Sequence, residues 1–390
     1  MQSLLSRIHH TSSRRAVAGH RGGRVAAGHR GGRVAAGLAA SALLASTLTA
    51  CASWDEAPTS SVNEELMSSL EANGSTVDAA AARTLTGLTQ VPELSEVIPI
   101  TENPAPQLPV ELTDADGEDV TVTDVSRILA LDIYGTYTKT LRGLGLGDNI
   151  VGRTVSSTEP SLADLPVVTV DGHNINVEAV LNLKPTLVIV DHSIGPDSAI
   201  TQIRDAGVTV VVMNPERSSS TITEDILNLA SVVGLPEDGQ KLADRAEQEL
   251  ADARDTIADI VPADDRLGMV FLYARGTGGI FFILADQAAS DLITEAGGVD
   301  VAGQAGMTGQ VPATAEALAG LNPDLFIMMT EGLNSTNGLD GLLARPGIAQ
   351  TLAGQKSRVV ALPDGSSLAF GPQTGELLLR LTRAAYLGEA

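Results

Sequence analysis

The chain has 390 residues, a formal net charge of −23, a single Cys and an aromatic content of only 3%. Seven of its 25 basic residues precede residue 50, where no acid occurs, so the rest carries 18 basic against 48 acidic residues, a net of −30. That balance excludes nucleic-acid binding through a general electrostatic field, and one Cys excludes both an internal disulfide and a metal site built from several cysteines.

The first fifty residues read as an export signal. Arg7, Arg14, Arg15, Arg21, Arg24, Arg30 and Arg33 make a basic segment, which includes a nine-residue duplication, AGHRGGRVA, at 18–26 and again at 27–35. An apolar stretch follows over 34–50, rich in Ala, Ser and Thr, and it suits a signal core better than a stable membrane span. It ends in Leu48-Thr49-Ala50-Cys51, which resembles a bacterial lipobox. We therefore expect a lipoprotein signal peptide over 1–50 and lipidation at Cys51, with acyl chains anchoring the mature chain to the outer face of the membrane. Arg14-Arg15 hints at twin-arginine export without the usual downstream pattern.

Residues 51–120 are rich in Ser, Thr, Ala, Glu and Pro, with Pro92, Pro99, Pro104, Pro106 and Pro109 crowded together. This composition predicts a flexible tether. From 121 the pattern changes to α/β. Apolar runs at 127–131, 149–152, 187–190 and 208–213 predict strands, the last two nearly continuous as buried parallel strands should be. A helix is expected over 137–146. Gly143, Gly145 and Gly147 then read as a turn at a helix end, because a nucleotide-binding loop would have to follow a strand. A long helical pattern runs to 260 and is broken at Gly234-Leu235-Pro236. Further strands are expected at 268–272, 279–284, 325–329 and 358–362, with helices at 288–296 and 374–387. The organisation predicted is an N-terminal α/β lobe at 121–235, an interlobe helix at 236–262 and a C-terminal α/β lobe at 263–390.

An internal repeat links the two lobes. Residues 177–189 (VEAVLNLKPTLVI) align with 315–327 (AEALAGLNPDLFI). In both, a Glu is followed seven residues later by Pro, with Leu two before and two after it. Each copy reads as a short helix, a Pro-marked stop and a buried strand. Two similar lobes on one long helix place a ligand in the cleft between them.

These residues resemble the class III substrate-binding proteins of ABC importers, over about 121–390. Two stretches narrow the resemblance to the haem-binding lipoproteins of the HmuT type: Asp171-Gly172-His173-Asn174-Ile175-Asn176, and Leu272-Tyr273-Ala274-Arg275-Gly276-Thr277-Gly278-Gly279. The resemblance implies that His173 and Tyr273, one per lobe, are axial ligands of a transported haem b, ferric protoporphyrin IX, so that the metal is held through the haem iron. It implies that Arg275 supports the tyrosinate. It also implies that Glu178 and Glu316 dock the two lobes onto the permease, and that the partners are that permease and, through it, its ATPase.

Residue chemistry agrees with the ligand assignment. Tyr and His are both recognised haem ligands. Tyrosine ionises near pH ~10, so a guanidinium two residues along an extended strand favours the phenolate. Taken alone, a Tyr at a strand end is more often packing and a loop His more often solvated. Glu178 and Glu316 could equally be ordinary helix-start glutamates. His192 is the only other His after the signal and is the reserve ligand.

The alternative on the same fold is a ferric siderophore or cobalamin. A zinc or manganese site would want more His and carboxylate ligands than two histidines begin to supply. No G-x-S-x-G, H-E-x-x-H or P-loop pattern occurs, so no catalytic residue is assigned and no enzyme is expected. A surface haem store without a permease is a third reading.

Overall fold

The structure, a computed structural model, describes residues 60–72 and 77–390. The expected signal peptide and Cys51 lie outside the described residues.

Two sheets form the core of the molecule. In the first lobe Ile150–Gly152, Ile128–Leu131, Leu187–Val190 and Thr209–Val212 lie side by side in that order, all parallel. Both central strands are buried at every position. This is why their sequences, Ile-Leu-Ala-Leu and Leu-Val-Ile-Val, are continuous apolar runs without alternation. In the second lobe the order is Leu88–Gln90, Val359–Leu362, Leu325–Met329, Gly268–Arg275, Ile280–Ala285 and Gly309–Pro312. The first four of these are parallel, and the last two add antiparallel pairs.

The helix Pro236–Ile260 joins the lobes, with Pro at its first turn, where a missing N–H costs nothing. Leu242, Ala246, Leu250, Ala253, Ile257 and Ile260 recur at helical spacing and are buried against the helices Ile222–Val232 and Thr374–Leu387. Gly143 ends the helix Thr136–Gly143 facing this helix: a Cβ there would meet Leu242 at 2.7 Å. Gly145, at φ +82, takes the left-handed conformation expected of a helix-end turn.

The tether expectation is corrected for residues 60–72 and 77–120. The helix Ser61–Ala72 buries Leu66 and Leu70 against the interlobe and C-terminal helices. Leu88–Gln90 is a hydrogen-bonded edge strand of the second lobe. Val110–Thr113 and Asp119–Val122 form a hairpin against the first lobe, pinned by Ala115 N–H donating to Val212 O at 2.9 Å. Asp114 secures its turn. Its carboxylate accepts the N–H groups of Asp116, Glu118 and Val212 and an Arg204 guanidinium.

Composition averaged over this stretch hid a few well-spaced apolar residues. Its prolines sit in an extended segment that needs no helix or ladder N–H. Because Leu88–Gln90 belongs to one lobe and Val110–Thr113 packs on the other, residues 91–109 make a second crossing between the lobes. The segment after Leu362 adds contacts: Lys139 Nζ donates to Gly365 O at 2.7 Å and Thr136 Oγ1 to Ala369 O at 2.6 Å.

Candidate ligand-binding cleft

The carboxyl ends of the parallel strands in both sheets converge, as expected of a ligand site in open α/β folds. Asp132 and Asp191 follow two strands of the first lobe. Asp364 and the turn 276–279 follow two strands of the second.

His173 sits on a short hairpin, Thr169–Val170 with Asn174–Ile175. Asp171 and Gly172 turn the chain with φ of 50 and 84, a conformation that Asp tolerates and Gly adopts freely. His173 O accepts Gly195 N–H at 3.0 Å, which ties the hairpin to the loop after Leu187–Val190. The imidazole is half-buried and its Nδ1 is buried without a hydrogen-bond partner. Burial, and then the positive charge of Arg275 from the opposite lobe, pull its pKa below the ordinary histidine value. Both effects favour the neutral form, the state in which imidazole ligates metal.

Tyr273 lies on Gly268–Arg275, opposite Phe282 of the neighbouring strand. Arg275, two residues on and on the same face, places its guanidinium 4.8 Å from the centre of the Tyr273 ring. It reaches Asp364 at 3.0 Å, and Asp364 also accepts Glu331 N–H at 2.7 Å. Arg275 thus stacks on the ring face and is oriented by Asp364, and no hydrogen bond joins it to the Tyr273 hydroxyl. Burial raises the pKa of Asp364, while Arg275 works against that rise. Beyond Arg275, a Cβ added at Gly276, Gly278 or Gly279 would meet nothing within 4 Å, so the tip of the strand opens onto free space.

His192 is placed elsewhere. Its Nε2 lies 2.7 Å from Asp116 and its Nδ1 3.1 Å from Asp197, and both contacts raise its pKa, the Asp116 bond most. With both ring nitrogens engaged by carboxylates, the reserve-ligand expectation is not kept. Glu178 and Glu316 are exposed in the first turns of the matching helices Val177–Asn182 and Ala315–Leu321, capped by Asn176 and Thr314. Both helix starts lie at the cleft end of their lobes. Ile175 N–H donates to Gly195 O, and Ala313 N–H donates to Phe281 O.

Sequence reasoning missed Asp364 and a buried network under the first-lobe wall. Asp191 accepts Tyr137 OH at 2.8 Å and Arg217 Nη2 at 3.3 Å, and Arg217 lies 4.8 Å over the Tyr137 ring. Asp132 accepts Thr136 N–H at 2.9 Å, while its Oδ1 is buried without a partner. Burial and then Asp191 push the Asp132 carboxyl up to about 6. A signal was available: Leu131 and Val190 are paired neighbours, and an Asp directly follows each of these apolar runs. Nothing local marks Asp364.

Three comparisons bear on this geometry. At 62% sequence identity, the solved haem-binding protein HmuT superposes with a TM-score of 0.76, covering 78% of this chain and 99% of that one. Solved variants of HmuT replace a single Arg, Tyr or His by Ala. An ABC transporter substrate-binding lipoprotein of Bacillus subtilis, YvrC, is 28% identical over 280 residues, which is 71% of this chain and 86% of its own length. The vitamin B12-binding protein of Vibrio cholerae is 28% identical over 176 residues, 45% of this chain and 60% of its own length. The model of the periplasmic binding protein family matches residues 133–365, which span both lobes, the interlobe helix and the cleft between them. The chain therefore belongs to the periplasmic binding protein family.

Proposed function

We propose that this chain captures ferric haem outside the cytoplasm and delivers it to an ABC-type importer. The iron is held between His173 and Tyr273, with Arg275 stacked on the tyrosine ring, and lipid on Cys51 keeps the protein at the membrane. The observation that carries the reading is positional: His173 stands on a first-lobe hairpin tied to the loop after Leu187–Val190, and Tyr273 stands on a second-lobe strand with Arg275 stacked on its ring. Arg275, stacked on Tyr273 in one lobe, acts on His173 in the other. One candidate ligand thus comes from each lobe, and the lowered pKa of His173 favours the neutral imidazole. Similarity to a haem-binding protein at 62% identity supports haem over the cobalamin or siderophore alternative. The test is a titration of the purified mature protein with haemin and, separately, with cyanocobalamin. Haemin should give a one-to-one complex with a ferric Soret band, and cyanocobalamin should not bind. Binding of cyanocobalamin with indifference to haemin would replace this reading by the alternative.

Glu178 and Glu316 are assigned to docking. Equivalent exposed carboxylates at the cleft end of each lobe can pair with two basic sites on a permease, fixing orientation and register. The Glu178→Ala/Glu316→Ala double variant is expected to keep haemin binding unchanged while importer-dependent uptake falls about tenfold or more, at about 1.4 kcal/mol per tenfold. Normal uptake by the double variant would refute the assignment.

A further inference from the structure

Haem brings two propionates to a chain whose residues after 50 carry a net charge of −30. Several cations of the second lobe and of the interlobe helix beside it are spent on second-lobe carboxylates. Arg254 pairs with Glu295 at 2.6 Å, Arg275 with Asp364 at 3.0 Å, Arg380 with Glu376 at 2.9 Å and Arg383 with Glu389 at 3.0 Å. Arg358 is buried and donates to Thr89 and to the carbonyls of Ala384 and Ala385. Arg266 and Lys356 precede the strands Gly268–Arg275 and Val359–Leu362, at the edge of the sheet away from the cleft.

Arg345 differs. Among the described residues no carboxylate lies within ion-pair distance of it, and burial without an acidic neighbour lowers its pKa. It is held at the cleft end of the lobe by two contacts. Its Nη2 donates to Gly276 O at 2.6 Å, and its guanidinium lies 4.4 Å over the Phe281 ring. Gly276 opens the exposed turn three residues after Tyr273. Phe281 is opposite Ala274 and Tyr273 is opposite Phe282, so Arg345 reaches the strand tip from the face away from the tyrosine. Its guanidinium therefore stands beside the turn into which the Tyr273 strand runs. One of its N–H groups is used on Gly276, which leaves the rest of a rigid donor fork for a carboxylate.

We propose that Arg345 is the carboxylate-recognising subsite of the cleft, receiving a propionate at the ligand's rim while Tyr273 holds the iron. This rests on the haem reading above. The test titrates haemin and haemin dimethyl ester, whose propionates are uncharged, into wild type, Arg345→Ala and Arg345→Lys. Arg345→Ala should weaken haemin about tenfold or more, most at low ionic strength, with the ferric spectrum and the ester affinity unchanged. Arg345→Lys should recover part of the loss, because it restores the charge without the fork. Unchanged haemin affinity in Arg345→Ala, or equal losses for haemin and ester, would overturn the subsite while leaving haem binding intact. Wild type that ignores both ligands would instead remove the haem reading, and this inference with it.

Discussion

Haemin titrated into Tyr273→Phe should bind at least about 100-fold more weakly than to wild type, with a displaced Soret band. Loss of a direct metal ligand should exceed the 10–100-fold typical of residues that only orient ligands. The substitution removes one oxygen and keeps the ring that Arg275 stacks on and that lies opposite Phe282. Stability should therefore change by no more than about 0.5 kcal/mol. Affinity and fold then separate cleanly: a normal melting curve with a lost spectrum assigns the oxygen to the iron. His173→Ala should alter the spectrum comparably or less, because one strong axial ligand remains. A native spectrum and affinity in Tyr273→Phe would remove the tyrosine from the ligand set.

The second large effect concerns stability. Arg217→Met should destabilise the chain by about 3–5 kcal/mol at pH 8, read by urea unfolding. Arg217 and Asp191 are almost entirely buried, at 1% and 0% side-chain exposure, and Arg217 is the guanidinium that reaches Asp191. Methionine fills much of the volume but leaves the Asp191 charge without its cation, and breaking one half of a buried pair costs more than the pair was worth.

The deficit should shrink toward pH 5. Asp132 is raised to about 6 and Asp225 is also raised, in both cases first by burial and against the pull of Arg217. A carboxyl whose folded pKa lies above its unfolded value destabilises the fold in full above the folded pKa. That cost is relieved as pH falls through it, because the folded state then takes up the proton first. Without Arg217 these pKa values rise further, so the loss is greatest where the carboxyls must ionise. A deficit equal at pH 5 and pH 8 would mean that lost packing, rather than stranded charge, sets the cost.

The sequence alone determined whatever depends on neighbours along the chain. Continuous apolar runs marked Leu187–Val190 and Leu325–Met329, and helical spacing marked Pro236–Ile260 and Thr374–Leu387, because burial on both faces or along one stripe writes a local period. The repeat that carries Glu178 and Glu316 was legible for the same reason, since each copy is one contiguous helix-turn-strand unit. Tertiary structure decided the rest. The segment 77–120 looked like a tether because its few apolar contacts, such as Leu88–Gln90 beside Val359–Leu362, have partners hundreds of residues away. His192 looked like a spare ligand until Asp116 and Asp197 were brought to its two nitrogens. Asp364 orients Arg275 across 89 positions of chain, and Arg275 acts on His173 across the cleft. No local pattern encodes such pairings, since their partners are distant in sequence and meet only in the folded chain.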